Sequence, residues 1–375
     1  MLTIRDIKSY PLQYPEPHDS NKLRYVNLVR IEASDGTVGW GECISQKPEA
    51  ALAVHTLVQS GFSPLIRGRN PLETTALWQL MRSHSEWYGN GGIATMAISA
   101  FDIALYDLKG KHLGLPVYEL LGGKVTPKVK AAASIIVDME AIDATAREFA
   151  DYVARGYTAV KGGWGKNSET AFGRDAERDL QLVKSVREAI GNTVSYMVDV
   201  GTHVKWDVCH AIRMTRRFED YGIFWIEEPL PQDDWEGHRR LRAAIQTLIA
   251  TGEKEWTVRG FKRLIEAGIA DIVMPDVGKA EGITGVKQII ELAALNSTLY
   301  NPHSWSTAIN TAASLHLCAS ATNTVVFELK PNPNPMQHEL IEDPIDQVNG
   351  YVVCPDAPGL GISVKQSVVE KYLFR

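Results

Sequence analysis

Short apolar runs recur along the second half of the chain, and most of them end on an acidic side chain or a histidine. Tyr196-Met197-Val198 precedes Asp199, Phe224-Trp225-Ile226 precedes Glu227, Ile272-Val273-Met274 stands just before Asp276, and Thr324-Val325-Val326-Phe327 precedes Glu328. With Glu253 and His303, these polar positions follow one another at intervals of 28, 26, 23, 27 and 25 residues. A strand with its returning helix takes roughly that length, and in a closed ring of parallel strands every C-terminal end opens on one mouth. Runs apolar throughout, not alternating, are what strands buried on both faces require. The spacing therefore predicts a (β/α)8-type barrel whose mouth gathers Asp199, Glu227, Glu253, Asp276, His303 and Glu328.

The first third has a different rhythm. Tyr25 to Glu32 and Thr37 to Glu42 alternate as strands do, and Asp35-Gly36 between them is a hairpin signal. From Glu49 to about Leu115 the apolar spacing lengthens to that of helices, clearest from Met96 to Lys109. An α+β capping domain over residues 1–125 is expected, with a boundary at Gly122-Gly123 and Pro127 and a barrel over 126–330 beginning at Val129 to Ile136. Residues 331–375, rich in Pro and Gly, are too short for a core of their own and should pack back on the cap and the barrel.

Composition narrows the function classes. With 375 residues, a barrel of about 250 leaves room for a second domain. Hydrophobic residues at 45% and charged residues at 22% are ordinary for a globular protein, and no run of about 18 apolar residues could cross a bilayer. The first residues lack a secretory signal pattern, so a cytoplasmic location is expected. Four scattered cysteines form no CxxC pair and imply neither a zinc knuckle nor a disulfide framework. A net charge of −6 without a basic cluster argues against a nucleic-acid partner.

Met197-Val198-Asp199, Trp225-Ile226-Glu227-Glu228-Pro229, Gly252-Glu253, Met274-Pro275-Asp276 and Asn301-Pro302-His303 together resemble the enolase superfamily, in its mandelate racemase group, over nearly the whole chain. The resemblance implies that Asp199, Glu227 and Glu253 hold one Mg²⁺, for which an all-oxygen donor set is suited. It implies that His303 and Asp276 form a catalytic dyad in which the carboxylate orients the imidazole. Glu328 is expected to donate a hydrogen bond to the developing enolate, which requires it to stay protonated near neutral pH. Lys161 matches the first lysine of the family's Lys-x-Lys, while the second lysine's position is Gly163. A racemase needs a proton acceptor on each face of the α-carbon, so this departure points away from racemisation. Glu228 stands as a rival or supporting carboxylate. Gly201 replaces the asparagine of many relatives, and His203 beyond it is a candidate proton donor.

In such proteins cap loops close over the barrel. Here Tyr14 to Arg24, with His18, Lys22 and Arg24, and the segment Ser45-Gln46-Lys47 are polar, which favours a hydroxylated substrate. Trp305, past His303, is a further candidate contact, while Trp87 and Tyr88 add either to the pocket wall or to packing. The expectation is a Mg²⁺-dependent sugar-acid dehydratase, a homo-oligomer with a small-molecule substrate. A sugar-lactone cycloisomerase or epimerase is the enzymatic alternative, and an inactive, metal-free binding protein is the alternative outside enzymes.

Overall fold

The computed structural model describes residues 2–201 and 204–374, so His203 lies outside the described residues. Three antiparallel strands, β1 (Ile4–Glu16), β2 (Lys22–Ala33) and β3 (Val38–Ile44), form one sheet in the order β1-β2-β3. The Asp35-Gly36 turn joins β2 to β3, with Gly36 at φ 88° and the Asp35 carboxylate accepting from the Thr37 amide at 2.9 Å. The sequence reading began at β2 and missed β1, whose alternation is broken by Pro11 and Pro15. The long helix Ile93–Leu113 lies on β3 so closely that a Cβ at Gly41 would stand 2.0 Å from the Ala100 carbonyl oxygen, and one at Gly39 would stand 2.1 Å from that of Ala104. Glycine at both positions is what permits that approach.

Eight parallel strands follow: β4 (Val129–Ile136), β5 (Ala159–Gly163), β6 (Ser195–Asp199), β7 (Trp225–Glu227), β8 (Leu248–Thr251), β9 (Ile272–Val273), β10 (Leu299–Tyr300) and β11 (Phe327–Leu329). From β4 to β10 each pairs with the next, and β11 pairs with β4. The ring closes where the Val325 amide donates to the Tyr300 carbonyl at 3.1 Å and the Tyr300 amide to that of Asn323 at 3.0 Å. Small and large side chains fill the interior together: Ala132, Ala159, Met197, Trp225, Ala250, Ile272 and Met274 form one buried cluster. Ala133, Val160, Val198, Ile226, Ile249 and Val273 point the other way, under the helices. Burial on both faces is why these runs carry no polar alternation.

Polar contacts lock the cap to the barrel. Asp102 on the long cap helix accepts from the Thr284 amide and hydroxyl, both at 2.7 Å, and Ser99 accepts from the Gly282 amide at 3.0 Å. Together they satisfy the otherwise orphaned N-terminus of helix Gly282–Leu295. Glu42 at the end of β3 does the same for helix Ala308–Ser320, accepting from the Asn310 amide at 3.0 Å and from the Thr307 hydroxyl. The last segment sews both parts together. β12 (Tyr351–Val352) runs antiparallel to β4, the Leu360 amide donates to Asp107 at 2.8 Å, and the Gln13 and Phe374 amides bond the carbonyls of Tyr372 and Pro11 along the outer edge of β1.

Candidate active site

Strand ends deliver the polar side chains to one mouth. Asp199 and Glu227 close β6 and β7, Lys161 projects from the middle of β5, Glu328 sits within β11, and Glu253, Asp276 and His303 follow β8, β9 and β10 by two or three residues. Lys161, Asp199, Glu253, His303 and Glu328 line one cavity with about 520 Å³ of open space, together with Arg24 and Gln46 from the cap and Trp164 and Trp305 from the barrel loops.

On one side of this cavity three carboxylates converge on a single ammonium. Lys161 Nζ stands 2.7 Å from Glu227 Oε1, 2.7 Å from Glu328 Oε2 and 3.5 Å from Asp199 Oδ2. Burial alone would neutralise the lysine, yet the charges of Glu227, Glu328 and Asp199 outweigh it and hold the ammonium well above its ordinary pKa. One cation does not balance three anions. Burial pushes Glu227 well above the usual carboxylate range and Asp199 up to about 6, in spite of Lys161. The Trp225 indole, in the barrel floor, donates to Glu227 Oε2 at 3.0 Å, and the Trp164 indole donates to Asp199 Oδ2 at 3.1 Å. Among the described residues Asp199 Oδ1, which is buried, has no hydrogen-bond partner.

The opposite side is fully satisfied. His303 Nδ1 lies 2.6 Å from Asp276 Oδ2, whose other oxygen accepts from the Gly278 amide and the Asn310 side-chain amide, both at 2.8 Å. His303 Nε2 faces Glu253 Oε2 at 3.3 Å. Burial would lower the imidazole pKa, but the Glu253 charge and the Asp276 bond overcome it and raise it to about 9. With both ring nitrogens facing carboxylates, the imidazolium is the favoured form. Glu42 caps the helix that carries Asn310, so the cap reaches the dyad through Asn310 and Asp276.

The geometry bears on three expectations. Glu328 was expected to stay protonated; instead Lys161, the His303 charge and the Ser304 amide outweigh burial and hold its pKa below the ordinary value. Glu228, at φ 47°, is turned from the cavity and accepts from Thr251 Oγ1, the Gly252 amide and Lys254 at 2.8, 2.9 and 2.5 Å. It supports the turn that carries Glu253. Among the described residues no three His, Cys, Asp or Glu side chains stand close enough to hold one metal ion as placed, because Lys161 fills the space between Asp199 and Glu227 while Glu253 is turned to His303. The residues nevertheless fit a hard divalent cation in two respects: the donor set is all oxygen, and Asp199 Oδ1 is a buried acceptor without a donor.

The candidate substrate contacts divide. Arg24, held by Asp19 at 2.8 Å, lines the cavity, and its Nε is buried without a partner. Trp305 lines the cavity as well, with His18 edge-on behind it at 5.9 Å and the Lys330 ammonium 5.0 Å over its ring. His18 itself faces the Asn332 carbonyl at 3.2 Å. Lys22 stays outside, bonding Asp19 and, at 3.0 Å, the Lys166 carbonyl, so it ties the cap loop to the barrel. Trp87 is almost wholly exposed and Tyr88 half so, and neither lines this cavity.

Sequence reasoning missed Trp164. It holds a left-handed φ of 60°, which for a bulky residue costs on the order of 1–3 kcal/mol. The one available signal was its setting in Gly162-Gly163-Trp164-Gly165, where glycines on both sides relieve a backbone that a tryptophan strains. Gly163 can carry no side chain on this backbone, since a Cβ there would stand 1.7 Å from the Asp199 carbonyl oxygen. The missing second lysine is therefore a feature of the strand pairing as well as of the sequence.

This ring of strand-end acids with a His-Asp pair and an N-terminal cap defines an enzyme of the enolase type, and comparison with known proteins makes the assignment specific. Residues 8–122 match the N-terminal domain of mandelate racemase / muconate lactonizing enzymes, and residues 144–368 match the enolase C-terminal domain-like family. The chain belongs to the mandelate racemase / muconate lactonizing enzyme family of the enolase superfamily. It is 32% identical to the D-galactarolactone cycloisomerase of Agrobacterium fabrum over 99% of each chain. It is 30% identical to the D-gluconate dehydratase of Thermoproteus tenax over 99% of this chain and 74% of that one. Among solved structures, a racemase from Streptomyces coelicolor A3(2) with bound magnesium superposes with a TM-score of 0.88 at 28% identity, covering 99% of this chain and all of the other. The relatives are thus acid-sugar dehydratases and cycloisomerases, and no helix of the described residues is long and apolar enough to cross a membrane.

Proposed function

We propose that the protein is a Mg²⁺-dependent hydro-lyase that dehydrates a sugar acid to a 2-keto-3-deoxy acid. The observation that carries this reading is the single cavity onto which Lys161, Glu328, Asp199, Glu253 and His303 all open. Asp199, Glu227 and Glu253 would hold the ion, which when bound supplies Lewis-acidic charge at the substrate carboxylate and offsets the Glu253 charge that keeps His303 protonated.

Lys161, kept cationic by its three carboxylates, meets the substrate carboxylate and stabilises the negative charge that grows on it. His303, fixed by Asp276, takes the C2 proton, and the C2–H electrons pass into the enolate. These electrons then form the C2–C3 double bond as the C3–O bond breaks, and the hydroxyl leaves as water with the proton carried by His303. The enol ketonises by taking a proton at C3 from solvent. Glu328, ionised, holds Lys161 in place, and Arg24 meets the far, hydroxylated end of the substrate.

A cycloisomerase is the second reading, favoured by the 32% identity to the galactarolactone enzyme. It would use the same enolate and expel a ring oxygen in place of a hydroxyl. The test is a screen of mono- and diacid sugars and their lactones with magnesium in D₂O, followed by NMR. A 2-keto-3-deoxy acid with deuterium at C3, and recovered substrate of unchanged C2 configuration, is the expected result. Equilibration of C2 epimers without keto acid, or turnover of lactones alone, would replace the dehydratase reading. Failure of the purified protein to bind any divalent cation would favour a binding protein.

A further inference from the structure

Three glycines surround one indole at the cation side of the cavity. Gly163 lies against the Asp199 carbonyl, a Cβ at Gly165 would stand 2.5 Å from Ala171 Cα, and a Cβ at Gly201 would stand 2.8 Å from the Trp164 indole nitrogen itself. The space at Gly201 is taken by Trp164, whose backbone amide donates to the Asp199 carbonyl at 3.2 Å and whose indole donates to Asp199 Oδ2 at 3.1 Å. Lys161 stands 3.5 Å from the same Oδ2. One carboxylate oxygen is thereby engaged twice while the other, Oδ1, is buried and has no partner. The donors of this carboxylate are gathered on one oxygen, and the indole of Trp164, whose backbone φ is 60°, is one of them.

We infer that Trp164 is a positioning residue for the cation site: its indole N–H fixes the Asp199 carboxylate so that Oδ2 is occupied and Oδ1 is reserved for the ion. The inference rests on the Mg²⁺ reading given above. Groups that orient a metal ligand from behind typically set metal affinity by about 10–100-fold.

The test is calorimetric titration of the metal-stripped, full-length protein with Mg²⁺ in the absence of substrate, so that the readout is affinity and not turnover. Trp164→Phe keeps the ring and removes the N–H. Gly201→Ala keeps the tryptophan but pushes a methyl group against its nitrogen and displaces the indole. Both variants are expected to bind Mg²⁺ at least about tenfold more weakly than the wild type. Trp78→Phe, which loses an indole bond to the Glu281 carbonyl in the cap, is expected to bind as the wild type does. Trp164→Phe binding Mg²⁺ with wild-type affinity overturns this inference and leaves the metal reading intact. A wild-type protein that binds no divalent cation overturns both.

Discussion

The two sides of the cavity handle charge in opposite ways. On the Lys161 side three buried carboxylates share one ammonium, Asp199 and Glu227 are pushed above their ordinary pKa, and one carboxylate oxygen is left without a donor. On the His303 side every oxygen of Asp276 is bonded, and the imidazole is held from both of its nitrogens. Buried polar groups are ordinarily satisfied, and an exception calls for a missing partner. Under the function proposed above, the first side is where the cation would be received and the second is where the proton carrier would be held.

The sharpest break of this contrast is His303→Asn. It removes the proton carrier, so turnover and C2 proton exchange with D₂O should both fall by at least about 10³-fold, while Mg²⁺ still binds, no longer opposed by an imidazolium beside Glu253. Undiminished exchange would place the base elsewhere. Next is Asp199→Asn, which should do the reverse, costing about 10²-fold or more in Mg²⁺ affinity by calorimetry and abolishing turnover without disturbing the dyad. Asp276→Asn should leave a measurable remnant of turnover and of C2 proton exchange, because the carboxylate orients the imidazole and does not itself move a proton. Lys161→Met should lower stability by about 3–5 kcal/mol in chelator, since three buried carboxylates lose their shared cation, and magnesium should restore part of it. A denaturant titration with and without Mg²⁺ checks this, and equal loss in both would show that the side has no use for a second cation. The smallest effect is expected of Asn310→Ala, about tenfold in turnover with a loss of about 1–2 kcal/mol, as Asp276 keeps its bond to the Gly278 amide.

The barrel was legible because its strands are buried on both faces, which leaves unbroken apolar runs that end on the chemistry. Asp199 and Glu227 could be placed at strand ends from sequence for that reason. β1 was not legible, because two prolines and several charged residues interrupt its alternation, and its pairing with β2 supplies order that the local sequence lacks. Contacts across the cap seam were equally hidden: Glu42 and Asn310 are 268 positions apart, and Glu16 and Lys330, bonded at 2.6 Å with both side chains buried, are 314 apart. The expectation that Glu328 stays protonated took no account of the Lys161 ammonium 2.7 Å away on a different strand, a distance that no spacing rule contains. Trp164 was passed over because what holds a left-handed tryptophan, the Asp199 carboxylate included, is met only in space.

The hydrogen bonds from Gln13 and Phe374 that lay the final residues along β1 also bear on how the chain is made. β1 is the edge of the cap sheet, and it leaves the ribosome long before residues 372–374 do. Throughout synthesis of the barrel the nascent cap exposes an unpaired strand edge, the kind of surface on which neighbouring chains aggregate. A truncation that removed those few residues would leave the catalytic mouth untouched and yet reopen that edge in the finished protein, so its first symptom would be poor solubility and not poor chemistry.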